Sequence, residues 1–220
     1  MNLELKGENA TIIGASKGID RSIALALAEE GVKVCAESCD LGDIEKVEAF
    51  LNTVKLTFGM VDILVNNASA LSLGRDDTDR EASINIDLLA SVKGTRKVIP
   101  WMIASGTGSI LFISSGSGLE GGALAAYAAA KAALISYSKT LSVQLVPRNI
   151  RVNMIAPGAV EFGGGLWEMM KKHDKPFYDH VINTISSGRM RRPDEIAKVA
   201  AFFSFAFRHQ GNRNLPICWW

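Results

Sequence analysis

The chain has 220 residues, of which 48% are hydrophobic and 21% charged, with a formal net charge of +1. Such numbers describe one ordinary globular domain large enough to bury a sizeable core. Balanced charge gives no footprint for nucleic acid or an anionic membrane, and no apolar run is long enough to span a bilayer. Cys35, Cys39 and Cys218 show no metal-ligand spacing and cannot all pair, which reads as a reducing, cytoplasmic setting. The start, Met-Asn-Leu-Glu-Leu-Lys, carries no secretion signal. His173, His180 and His209 lie among polar residues and read as surface residues, not as metal ligands or catalytic bases.

Short apolar runs alternate with helical patterns along the chain. Residues 10–13, 32–36, 61–65, 110–113 and 150–155 read as buried strands. Residues 18–30, 43–58, 79–104 and 126–146 read as helices, the third kinked or ended by Pro100. Strand–helix alternation predicts an α/β fold, a Rossmann-like doubly wound parallel sheet covered on both faces. One domain spans residues 1–220, with an aberrant tail over 204–220. Residues 161–190 hold Gly163-Gly164-Gly165 and then Trp167, Met169, Met170, Phe177 and Tyr178 among charges. They read equally as a lid over a substrate or as a pair of surface helices with buried anchors.

Two motifs carry chemistry. Gly14-Ala15-Ser16-Lys17-Gly18-Ile19 follows the first strand and opens the first helix. Glycines there let the backbone approach a pyrophosphate, and the helix N-terminus offers N–H groups and partial positive charge. A glycine turn alone is weak evidence, since tight turns use glycine for steric reasons. Tyr127 and Lys131, four residues apart, share one helix face. An ammonium beside a phenol favours the phenolate, so the pair can act as an acid or base. Tyr and Lys at this spacing occur on many solvated helices, and the pair gains weight from the motifs upstream of it.

In order along the chain, these motifs make it resemble the short-chain dehydrogenase/reductase family. Gly14 to Asp20 resembles that family's glycine turn, and Asn66-Asn67-Ala68-Ser69 its Asn-Asn-Ala-Gly strand end. Asn85 matches its helical asparagine, Ser114-Ser115 the strand end with its serine, and Tyr127 with Lys131 its Tyr-x-x-x-Lys. Asn153 to Gly158 matches Asn-x-x-x-Pro-Gly, and Gly188 to Ala197 the start of the helix after the substrate loop.

The resemblance implies hydride transfer between a nicotinamide cofactor and a small alcohol or ketone. Tyr127 would give or take the proton, Lys131 would depress the tyrosine pKa and hold the ribose, and Asn85 would anchor a water. The surrounding pattern makes the catalytic serine Ser115, whereas the commonest distance to the tyrosine makes it Ser114; we favour Ser115. Gly14, Ser16, Lys17, Gly18, Ile19, Asp40, Leu41, Asn67, Ala68, Tyr127, Lys131, Pro157 and Gly158 would line the cofactor. Lys17 favours NADP through a 2′-phosphate, whereas Glu37 would favour NAD. Relatives form dimers or tetramers through the helices holding Asn85 and Tyr127, so a homo-oligomer is expected.

Three departures stand against that pattern. Asp20 replaces the third glycine and adds negative charge near the pyrophosphate position. After Ser38 the chain goes straight to Cys39-Asp40-Leu41, omitting a helix and a strand, so one edge βα unit is missing. Cys39-Asp40 could instead lie beside strand one and keep a partial adenosine pocket. The tail ends in Trp219-Trp220 in place of a last strand with a Gly-Gly end. Tryptophan has the single codon TGG, so a one-base shift would turn that pair into glycines, which suggests a changed frame near residue 203. Two functions follow: an active oxidoreductase, or an impaired chain of this descent serving as a binding scaffold.

Overall fold

The computed structural model describes residues 3–14, 17–37, 40–72, 74, 76–120, 124–204 and 218–219. Ser16, Cys39, His209, Trp220 and the side chains of Glu37, Cys218 and Trp219 lie outside the described residues.

A parallel sheet runs β2-β1-β3-β4-β5-β6. Its strands are β1 (Asn9–Ile13), β2 (Lys33–Glu37), β3 (Ile63–Asn66), β4 (Gly108–Ile113), β5 (Ile150–Ala156) and β6 (Cys218–Trp219). β1, β3 and β4 are buried along their whole length because helices cover both faces of the sheet. Alternation sorts their side chains. Ile110 and Phe112 join one core with Val47, Leu51 and Val98, while Leu111 and Ile113 join the other with Ile23, Leu27 and Ala200. The first layer comes from α2 (Ile44–Phe58), α4 (Ser91–Ser105) and α5 (Ala125–Leu145); the second from α1 (Ile19–Glu29) and α8 (Pro193–Ser204).

The missing edge unit is visible in the topology. Among the described residues β2 pairs only with β1 and forms the sheet edge, and the turn at Asp40–Asp43 leads directly into α2. Asp43 caps that helix by accepting from the Glu45 and Lys46 amides. At the other edge, β6 is two residues long and pairs in parallel with Ile155 and Ala156. A short β6 thus stands where a full last strand was expected to be lost.

Two expectations for the helices change. The third predicted helix is composite: α3 (Asp77–Ala82), a π-helical segment Ser83–Ala90, and α4. It runs through Pro100 to Ser105, so the proline does not end it. Residues 161–190 contain two helices and a buried anchor, an arrangement common to both readings. α6 (Leu166–His173) and α7 (Lys175–Thr184) stack Trp167 on Phe177 with ring centroids 6.1 Å apart. Tyr178 is buried and donates its hydroxyl to Glu161 at 2.9 Å. Arg151 closes the opposite end of the sheet by donating to the Phe203 and Ser204 carbonyls at 2.8 and 2.9 Å. That guanidinium caps α8, and burial lowers its pKa to about 10.

Candidate active site

β1 lies between β2 and β3, so the chain leaves it in opposite directions and a crevice opens at the carboxyl ends of β1 and β3. Gly14 ends β1 with φ +96°, and a Cβ there would lie 3.4 Å from the Ala68 backbone. Only glycine combines that dihedral with that approach. The Asn67 amide donates to the Ile13 carbonyl at 3.2 Å, which fixes Asn67 and Ala68 against the glycine turn. The first helix opens at Gly18, with φ +71°.

α5 brings the tyrosine and lysine together as the four-residue spacing requires. The Lys131 ammonium lies 5.6 Å from the centre of the Tyr127 ring. Lys131 is 2% exposed; its ammonium donates to the Ala68 carbonyl at 3.0 Å and pairs with Asp87 at 3.3 Å. The two serines separate clearly. Ser114 is buried and its hydroxyl donates to the Lys131 carbonyl at 3.0 Å, so it ties β4 to α5. Ser115 and Ser69 lie near enough to the Tyr127 hydroxyl to lower its pKa. Neighbouring strand residues face opposite ways, which is why only one of the pair reaches the phenol.

Asn85 is exposed, and Asp87 stands beside Lys131 in its place. Two residues along a helix is close to half a turn, so the two side chains cannot share a face. A spacing of four offered a signal for Asp87: Ser83, Asp87, Ser91 and Thr95 are all buried and form one polar seam. Asn66 donates to Thr95 at 3.0 Å at the end of this seam. The π-helical geometry of residues 83–90 carries Asp87 in that seam toward α5.

The phenol also departs from expectation. Its pKa is raised rather than depressed, first by burial and further by the Asp87 charge, against the lowering effect of Ser115 and Ser69. Burial pushes the Asp87 carboxyl up and the Lys131 ammonium down, and each partner opposes the other's shift.

The remaining expected cofactor residues form a broken path. Pro157 is buried and its carbonyl accepts from the Gly116 amide at 2.8 Å, which places Gly158 beside the Ser115 turn. Asp40 is exposed, accepts from the Gly42 amide at 3.1 Å and pairs with Lys46 at 3.3 Å. Leu41 packs partly against the core and Ile19 against the α1–α8 layer. Lys17 is exposed and reaches the Gly164 carbonyl at 3.4 Å.

Phe162, which the sequence did not single out, lies over the glycine turn. A Cβ at Gly18 would be 2.6 Å from its ring, and one at Gly165 would be 2.9 Å away. Its only signal was a lone aromatic before three glycines. Asp20 is 5% exposed, and its carboxylate accepts the neighbouring Arg21 amide at 2.7 Å. One helix N-terminal donor is thereby satisfied internally, and a negative charge stands where an anion would be bound. Asp20→Gly is expected to tighten NADPH binding about fivefold, the effect of roughly 1 kcal/mol at a helix N-terminus. Titration of NADPH fluorescence measures this, and equal dissociation constants for the two proteins would refute it.

Comparison with known proteins agrees with this geometry. Residues 36–172 match the family model described as short chain dehydrogenase. A 3-oxoacyl-[acyl-carrier-protein] reductase of Thermotoga maritima is 31% identical, with 92% of each chain covered. That alignment spans 231 residues, more than the 220 present here, so the relative carries residues that this chain lacks. A structure of NAD+-bound xylitol dehydrogenase superposes with TM-score 0.83 at 25% identity, covering 91% of this chain and 93% of that one. An actinorhodin polyketide ketoreductase variant with NADPH gives TM-score 0.83 at 26% identity, covering 90% of each chain.

Proposed function

The chain belongs to the short-chain dehydrogenase/reductase family, and from that membership we propose that it interconverts a small ketone and its alcohol with Tyr127 as the proton donor or acceptor. The observation that carries this reading is the meeting of Tyr127, Lys131 and Ser115 at the Ala68 end of the β1–β3 crevice. An oxidoreductase of this family acts on CH–OH and C=O groups with NAD(P).

The residues present fit such a cofactor. The Gly14 turn gives a close backbone approach beside Ala68, and α1 begins after it at Gly18, where a helix N-terminus favours an anion. Gly14, Gly18 and Ile19 would hold the pyrophosphate end, while Asn67, Ala68, Pro157 and Gly158 would border the nicotinamide end. Phe162 must swing off Gly18 for the pyrophosphate to reach the turn. The exposed Lys17, with one long bond to a carbonyl, supports NADP over NAD. When bound, the nicotinamide supplies or accepts the hydride.

The chain's own residues do the rest. Ser115 donates to the substrate oxygen as negative charge grows there, and Tyr127 gives that oxygen its proton. Lys131 is held by Ala68 and Asp87 beside the phenol, where its charge stabilises the phenolate left behind. Exposed Ala132, Ala133 and Val143 on α5 and Ile84 on the π-helical segment support a homo-oligomer built on those helices.

The test mixes the protein with NADPH and a panel of small ketones and follows NADPH consumption. Turnover is expected, with kcat/KM reduced about 100-fold in Ser115→Ala, the effect of one lost oxyanion donor. Ser114→Ala is expected to lose about 1 kcal/mol of stability and little activity, because its bond is structural. Absence of NADPH binding at high concentration would instead support the impaired scaffold, a reading favoured by Asp20 and the shortened edge.

A further inference from the structure

We propose that Asp87 is a positioning residue that holds Tyr127 in its protonated form and so fits the site to carbonyl reduction at neutral pH. The proposal deepens the reading of Tyr127 as proton donor or acceptor and rests on it.

Asp87 is fully buried and Lys131 nearly so, with 3.3 Å between carboxylate and ammonium. Among the described residues, the groups facing Tyr127 are Asp87 from the π-helical segment, Lys131 from its own helix, Ser69 after β3 and Ser115 after β4. With a carboxylate, an ammonium and a neutral phenol, the cluster sums to zero. Loss of the phenol proton leaves it at −1 in a poorly solvated place, which is unfavourable. The direction of the Tyr127 shift, upward from burial and from Asp87, agrees. A neutral side chain at position 87 would reverse the balance. The cluster would begin at +1 and reach neutrality by releasing one proton.

The chemistry then follows. Reduction puts a hydride on the carbonyl carbon and a proton on its oxygen as the C=O π pair moves to that oxygen. The hydride comes from a reduced nicotinamide dinucleotide; the Tyr127 O–H bond breaks to give the proton, leaving phenolate that solvent reprotonates. Reduction needs the phenol and oxidation needs the phenolate. A high phenol pKa gives a reduction rate flat across neutral pH and an oxidation rate that rises with pH.

The test reads the phenol directly, without cofactor. Phenolate absorbance is followed against pH for the wild type and for Asp87→Asn, each minus its own Tyr127→Phe counterpart. Asp87→Asn is expected to move the midpoint down by about 1–2 pH units, the usual effect of one nearby charge. Asp87→Glu, which keeps the charge, is expected to stay at the wild-type midpoint; this separates charge from packing. The kcat/KM profile for ketone reduction is expected to lose activity at correspondingly lower pH in Asp87→Asn. Coincident midpoints for the wild type and Asp87→Asn overturn the proposal. If Asp87→Asn does not fold, a wild-type Tyr127 titrating below the free-tyrosine value of about 10 overturns it alone. Failure of Tyr127→Phe to reduce turnover would refute the proton-donor reading and leave the optical titration intact, so the two failures are distinguishable.

Discussion

Tyr127→Phe is expected to lower kcat/KM for ketone reduction by about 10²–10⁴, the usual contribution of one positioned acid. The substitution removes one oxygen and keeps the ring beside the Lys131 ammonium, so the fold and the crevice should persist. Ser115 remains as a donor to the substrate oxygen, which is why some activity should survive. NADPH affinity should change little, since the phenol acts on substrate rather than on the phosphates. Steady-state kinetics beside a fluorescence titration give both quantities. A variant that kept more than about a tenth of wild-type kcat/KM would place the proton donor elsewhere.

Lys131→Met is expected to have the largest effect on stability. It leaves the Asp87 carboxylate fully buried without its partner, a change of about 3–5 kcal/mol for a broken buried pair. The penalty should depend on pH, and its sign follows from the upward shift of Asp87. Below the ordinary carboxyl range Asp87 is protonated whether folded or unfolded, so the penalty vanishes. Above it the unfolded chain ionises while the folded one resists, and stability falls as pH rises. The double variant Asp87→Asn, Lys131→Met removes both charges and should recover most of the loss, because neutral groups of similar volume replace a buried pair nearly evenly. Urea denaturation at pH 4 and pH 8 measures all three proteins. A single variant as stable as the wild type at pH 8 would mean that the pair contributes nothing to the fold.

Much of the site was legible because its parts are local. The Gly14 turn depends on a dihedral that only glycine adopts readily, and the Tyr127–Lys131 pair depends on helix geometry alone. Asn85 was misplaced for an equally local reason. Its neighbourhood matched a motif, but the π-helical turn and the polar seam decide which face meets α5. Ser114 and Ser115 could not be separated by spacing, since adjacent residues differ only in the face of the strand they occupy. The helix anchor Tyr178 and the Trp167–Phe177 stack came into view only once α6 and α7 were packed.

By itself the amino-acid order determined the parallel α/β architecture, the lost edge unit, the glycine turn after β1 and the Tyr–Lys pair on α5. Periodicity and turn chemistry act over a few residues and survive without tertiary context. Tertiary structure alone decided that Phe162 covers Gly18, that Asp87 pairs with Lys131, and that burial raises the phenol pKa. Those outcomes depend on burial and on charges 40 or more residues apart in the chain, such as Asp87 and Lys131. Solvation and Coulomb energy are functions of distance in space, and only the packed fold sets those distances.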